Sequence, residues 1–209
     1  MKRIIITGFV FLFYLSANAQ YFGLQAGGLA SNIKWRNDIY TVNTVVKPSF
    51  MAGITLDIPI QNTMAVNLAL NYKLVGAAMI DSTDLGAVQL GYVNLDVSFN
   101  YIFQTNGALR PFIEGGGYGA YLVNAQKVFK PENQDLYKEE VKVGSAIDDE
   151  IIPFDIGLMI GGGIYLKSWK FALGYQSSII DLSPDTEWIL RNKIGYLKVT
   201  YFLGKNKLK

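Results

Sequence analysis

From Tyr92 the chain reads YVNLDVSFNYIF, and every second residue, Val93, Leu95, Val97, Phe99, Tyr101 and Phe103, is apolar. Asn94, Asp96, Ser98 and Asn100 stand between them. A helix would place Asp96 and Asn100 beside Val93 and Val97 and leave no apolar stripe, so only a strand organises this stretch. The same alternation recurs. Phe50, Ala52, Ile54, Leu56 and Ile58 form one series; Met64, Val66, Leu68, Leu70, Tyr72 and Leu74 another; Phe154, Ile156, Leu158 and Ile160 a third; Leu197, Val199, Tyr201 and Leu203 a fourth. With 21–31, 109–124 and 169–180, the reading predicts eight strands. Most reach the roughly 9–11 residues that a tilted transmembrane strand needs.

The connections between these strands alternate in length. Gaps of about 16, 9, 28 and 9 residues follow the odd-numbered strands, and gaps of about 4, 5 and 2, at PIQN, QTNGA and KS, follow the even-numbered ones. An up-and-down meander does this when one rim carries tight turns and the other open loops, as outer-membrane barrels do with short periplasmic turns and long external loops. The expected fold is therefore all-β: an eight-stranded antiparallel up-and-down transmembrane β-barrel. Residues 32–47, 79–87, 125–152 and 182–190 are its expected external loops.

Alternation also fits a soluble lipocalin-like periplasmic ligand carrier, apolar inside and polar outside. The polar face argues against this, because it is largely Gly, Ala, Asn, Ser and Gln rather than Lys, Glu and Thr. Seven charges sit singly on it: Asp57, Lys73, Asp96, Glu114, Asp155, Lys170 and Lys198. They read as an interior polar network, with Lys73–Asp96 and Asp155–Lys170 the expected pairs, since a buried charge without a partner is costly. Aromatics gather towards two rims, Phe22, Tyr101, Phe103, Trp169 and Tyr201 at one, Trp35, Phe50, Tyr121, Phe154 and Trp188 at the other, as interfacial girdles would. Eight strands enclose a space that side chains fill, so a closed or very narrow lumen is expected.

The first 20 residues, MKRIIITGFVFLFYLSANAQ, carry Lys2 and Arg3, a 12-residue apolar core from Ile4 to Leu15, and Ala17-Asn18-Ala19. This reads as a secretory signal peptide over 1–19 with the barrel domain over 20–209, since the core is too short to span a bilayer as a helix. Removing Lys2 and Arg3 from the 19 basic residues balances them against the 17 acidic ones, which argues against nucleic-acid binding. The chain has no cysteine and no histidine, which excludes Ser-His-Asp and Cys-His catalysis and His-ligated zinc. The expectation is a non-enzymatic protein with no catalytic residue, cofactor or metal.

Two local features invite sharper readings. In PFIEGGGYGAYL, Gly115-x-Gly117-x-x-Ala120 has the spacing of a relaxed dinucleotide loop, but a strand follows where the phosphate-binding helix should start. The glycines are instead expected to make room for interior side chains such as Tyr118 and Tyr165. In the loop 125–152, seven acidic and four basic residues make a solvated surface offered to a protein partner, within which Asp148, Asp149 and Glu150 could hold a divalent cation bridging lipopolysaccharide phosphates.

The stretches YFGLQAGG, VQLGYVNLDVSFNYIF, LRPFIEGGGYGAYLV, FDIGLMIGGGIYL and NKIGYLKVTYFLG, in this order, resemble the PorT-like small outer-membrane β-barrel proteins of Bacteroidota, often labelled porin family. The resemblance implies an integral barrel of the cell outer membrane, with a structural or interaction role through external loops. Lipid and lipopolysaccharide would surround it. Some members are similar to components of a protein-secretion system, so an accessory role in secretion is the alternative it implies.

Overall fold

The computed structural model describes residues 21–37, 39–42, 44–80, 84–131, 137–146, 148–185 and 187–203. The expected signal peptide lies outside these residues. Eight long strands follow in order: β1 (Tyr21–Arg36), β2 (Thr44–Gln61), β3 (Met64–Ile80), β4 (Asp84–Ile102), β5 (Leu109–Pro131), β6 (Phe154–Leu166), β7 (Trp169–Ser178) and β8 (Ile189–Leu203). Each pairs antiparallel with its sequence neighbours. The ring closes where β1 pairs β8 without interruption from Phe22↔Leu203 to Arg36↔Ile189. Closure leaves the main strands no free edge over this seam.

Alternation decides which way the side chains point. Leu95, Val97 and Phe99 are 48%, 44% and 44% exposed on the outer wall, while Asp96 between them is 2% exposed in the interior. The outer wall is a continuous apolar surface, which excludes the soluble carrier. One rim carries the three tight turns, at 62–63, 103–108 and 167–168. At that rim Tyr101 packs on Phe103 (5.2 Å between ring centroids) and Trp169 on Tyr201 (4.8 Å), the expected girdle. Tyr121 and Phe154 (5.1 Å) and Phe50 and Tyr72 (6.5 Å) belong to the opposite girdle.

The strands run further towards the loop rim than the sequence suggested. Residues 32–36 and 44–47 continue β1 and β2, β3 and β4 absorb most of 79–87, and 125–131 continues β5, onto which the short strand Tyr137–Glu140 pairs. Along the extension of β1 the alternation reverses sense. Up to Ser31 the outward residues of β1 are apolar or small; beyond it, Ile33 points in, 4% exposed, and Asn32, Lys34 and Arg36 face outward. Above the bilayer the strands meet water, so the outer wall becomes polar and the interior apolar. Trp35 and Trp188, expected in a girdle, accordingly pack edge-on against each other inside the mouth, with ring centroids 5.9 Å apart.

Glycines give the interior its shape. A Cβ on Gly157 would meet the Tyr118 ring at 2.4 Å and the Ser177 carbonyl oxygen at 2.4 Å, and one on Gly161 or Gly174 would meet the Tyr196 hydroxyl at 2.6 or 2.2 Å. These two bulky phenols thus fit inside an eight-stranded ring because the strands facing them have no side chains there. Gly157→Ala is expected to lower stability by about 1–3 kcal/mol, the ordinary cost of overpacking, measured as a shifted urea midpoint in lipid vesicles. An unchanged midpoint would show that the Tyr118 ring has room to move.

Candidate functional site

All seven charges expected inside the barrel are there, each 2–3% exposed. They fall into three groups. In the first, Glu114 is the hub: Lys198 Nζ lies 3.0 Å from its Oε1 and Lys170 Nζ 3.5 Å from its Oε2, while the Tyr196 hydroxyl donates to Oε1 at 2.7 Å. Asn100, with its amide oxygen towards Lys170, accepts from Nζ at 3.1 Å and donates to Glu114 Oε2 at 3.3 Å. Lys170 also stands 4.0 Å from Asp57 and lies over the Phe112 ring, 4.7 Å from its centroid. Asp57 in turn accepts from the Tyr165 hydroxyl at 2.8 Å and from the Asn67 amide. Two acids and two lysines make this group neutral.

The second group is the expected Lys73–Asp96 pair. Asp96 faces Ala69 across the ladder, and the long Lys73 side chain reaches back to it, placing Nζ 3.0 Å from Oδ1 and 3.1 Å from Oδ2. Gln176 Nε2 donates to Oδ1 at 3.0 Å and Asn71 Nδ2 to Oδ2 at 2.9 Å. This group is neutral as well.

Asp155 forms the third group and does not meet Lys170. Both residues lie near the starts of consecutive antiparallel strands, and such starts occupy opposite rims. Lys170 pairs with Tyr165, so about ten residues of strand, roughly 30 Å at about 3.3 Å each, separate it from Asp155. Instead Asn192 Nδ2 donates to Asp155 Oδ2 at 2.8 Å and the Tyr118 hydroxyl at 3.3 Å, and no ion pair forms among the described residues. Asp155 is therefore an interior carboxylate without an ion pair among the described residues. It lies on the loop-rim side, since the preceding residues 151–153 close the mouth.

Towards the turn rim, Phe202, Ile102, Phe112, Ala65 and Tyr165 pack into an apolar plug, with Phe202 and Tyr165 rings stacked at 6.3 Å. Towards the loop rim, Val141 N donates to the Ala125 carbonyl, Glu150 N to Lys142, and Ile152 N to Leu182, folding residues 141–152 across the mouth. Ile151 and Leu182 are buried there, so this part of the 125–152 loop is a cap rather than a solvated surface. Its acidic run does not converge. Glu150 pairs with Lys127, and Asp149 Oδ2 accepts from the Ala146 amide at 2.8 Å. Among the described residues no three acidic side chains come together to hold a metal, so the divalent-cation reading of Asp148, Asp149 and Glu150 is not supported. Beneath the cap lies a cavity of about 260 Å³, between walls that include Ile33, Trp35, Leu90, Trp188 and Leu190.

The closed ring, the greasy outer wall with its two aromatic girdles and the charged, side-chain-filled interior define a small outer-membrane β-barrel. The chain belongs to the family described as "Outer membrane protein beta-barrel domain", which it matches over residues 18–183. It is also similar to several solved structures. Neisserial surface protein A is 14% identical with a TM-score of 0.46, the match covering 89% of this chain and 100% of that one. Ail of Yersinia pestis is 13% identical, covering 89% and 100%, with a TM-score of 0.41. OprG from Pseudomonas aeruginosa is 12% identical, covering 90% and 95%, also with a TM-score of 0.41. No curated protein matches the chain.

Proposed function

We propose that this chain is a non-enzymatic barrel of the PorT-like kind, held in the outer leaflet by lipopolysaccharide phosphates and offering its loop rim, with residues 125–152, to an external protein partner. The observation that carries the lipid reading is the outer face of the β1–β8 seam. Outward pairs climb it from Phe22↔Leu203 through Leu24↔Tyr201, Ala26↔Val199 and Gly28↔Leu197 to Ala30↔Gly195, all apolar or small. The next outward residues are Asn32, Lys193, Lys34, Arg191 and Arg36. Four cations thus stand directly above the apolar belt, at the height of lipid headgroups when tight turns face the periplasm. None of the four enters an ion pair among the described residues. The flanking strands pair Lys193 with Ser177 and Ala30 with Pro48 and bring no carboxylate at this level. Asp181, in the loop before β8, accepts from the Ser183 and Leu190 amides.

A non-enzymatic reading fits the interior, where Asp96 and Glu114 are sealed against lysines and open onto no cleft. The edge of Tyr137–Glu140, with Tyr137 stacked on Phe129 at 5.0 Å, is the exposed part of the 125–152 loop that a protein partner would meet.

At about 1 kcal/mol per basic residue near an anionic surface, Lys34→Ser with Arg191→Ser is expected to weaken binding of lipid A by roughly 30-fold. The measurement is the rise in SDS-gel unfolding temperature as lipid A is titrated into the purified barrel. The same rise in wild type and variant, or an undiminished rise with dephosphorylated lipid A, would refute phosphate recognition by this seam.

A further inference from the structure

The cavity under the loop cap is placed to bind a ligand, and its walls say of what kind. Its volume, about 260 Å³, is close to the lower end of the roughly 300–1,000 Å³ of small-molecule sites. Trp35 and Trp188 meet at 73° and present indole surface to it from two directions, and Ile33, Val88, Leu90 and Leu190 complete an apolar chamber. The charge around it is negative. Among the described residues Lys127 is the only basic one on its wall, and Glu150 pairs with it. Asp149 and Asp185, also on the wall, have no cationic partner among the described residues. Their carboxylates accept from loop amides, Asp149 Oδ2 from Ala146 N at 2.8 Å and Asp185 Oδ1 from Glu187 N at 2.9 Å.

One layer deeper lies a further carboxylate. Leu90 and Leu190 line the cavity, and the next inward residues on their strands are Tyr92 and Asn192. Asn192 donates to Asp155, which has no ion pair among the described residues. Aromatic faces joined to uncompensated carboxylates in an apolar enclosure attract a weakly hydrated cation far better than a neutral molecule or an anion. We propose that the mouth of this barrel is a binding site for a small organic cation, an alkylammonium or quaternary ammonium compound, seated against Trp35 and Trp188 with Asp149 and Asp185 facing its charge. A metal ion does not suit the apolar walls, and an anionic lipid would meet two unpaired carboxylates.

Choline and its uncharged isostere 3,3-dimethylbutanol separate charge from shape. With Trp169→Phe in the full-length barrel, held in maltoside micelles, only the two cavity tryptophans emit. Choline is expected to change their emission saturably and to bind at least about tenfold more tightly than the isostere. Asp185→Asn and Asp149→Asn keep the oxygens that accept the loop amides, and together they are expected to remove most of that preference. Saturation-transfer NMR on the choline N-methyl signal gives a second readout that does not depend on tryptophan. Equal binding of the two compounds, binding of neither, or a preference that survives both substitutions would each overturn the proposal.

Discussion

Glu114→Gln is expected to cost the barrel about 3–5 kcal/mol, the scale set by breaking a buried ion pair from one side. The amide fills the same space and still accepts from the Tyr196 hydroxyl, so packing is preserved and the loss is one of charge. Lys170 and Lys198 would then share a sealed compartment in which the remaining counter-charge, Asp57, stands 4.0 Å from Lys170. Urea unfolding in vesicles, or the temperature at which the folded band is lost on an SDS gel, measures the effect. Adding Lys198→Met to Glu114→Gln removes the stranded cation, so the double variant is expected to be more stable than the single one. A single variant as stable as wild type, or a double variant less stable than the single, would show that the ion pairs do not hold this compartment.

Asp96→Ala is expected to lower stability by a similar or larger amount, because one carboxylate accepts from three side chains, Lys73, Asn71 and Gln176. Their donors lose their acceptor where water does not replace it, and a void opens as well. Lys73→Met with Asp96→Leu exchanges the pair for apolar bulk and is expected to recover a large part of the loss, since the damage lies in the orphaned lysine rather than in the missing attraction. The SDS-gel transition reads both variants, and an unchanged transition in Asp96→Ala would contradict the network. Added salt should leave the wild-type transition in place, as buried pairs are poorly screened.

The period-two rule identified β4 and β6, and the composition of the polar face, small residues with single charges, told which side is the filling. Lys73–Asp96 was legible for a related reason: the two strands are joined across the loop rim in a hairpin, and a lysine spans the diagonal. Asp155–Lys170 was not, since pairing across neighbouring strands requires similar distances from the shared turn, and Asp155 lies far from the KS turn while Lys170 lies beside it. The loop boundaries failed for a different cause. NIKWR at 32–36 still alternates, but in opposite phase to YFGLQAGG, because its outer side meets water. Read with a single phase, that reversal looks like the end of a strand. It also carried Trp35 and Trp188 from the girdle to which their aromatic character assigned them into the mouth. The cap over the cavity depends on backbone hydrogen bonds between residues such as Ile152 and Leu182, and no residue pattern announces those.

β5, from Leu109 to Pro131, is 23 residues long. At about 3.3 Å per residue and a tilt near 40°, it rises roughly 55 Å, of which a hydrocarbon slab accounts for only about 25 Å. The remainder is a rigid parapet rather than a fringe of tethers. Anything that docks on its crest does so well clear of the lipid surface, with little ordering entropy left to lose, and an antibody or partner raised against this height would recognise shape fixed by the sheet itself.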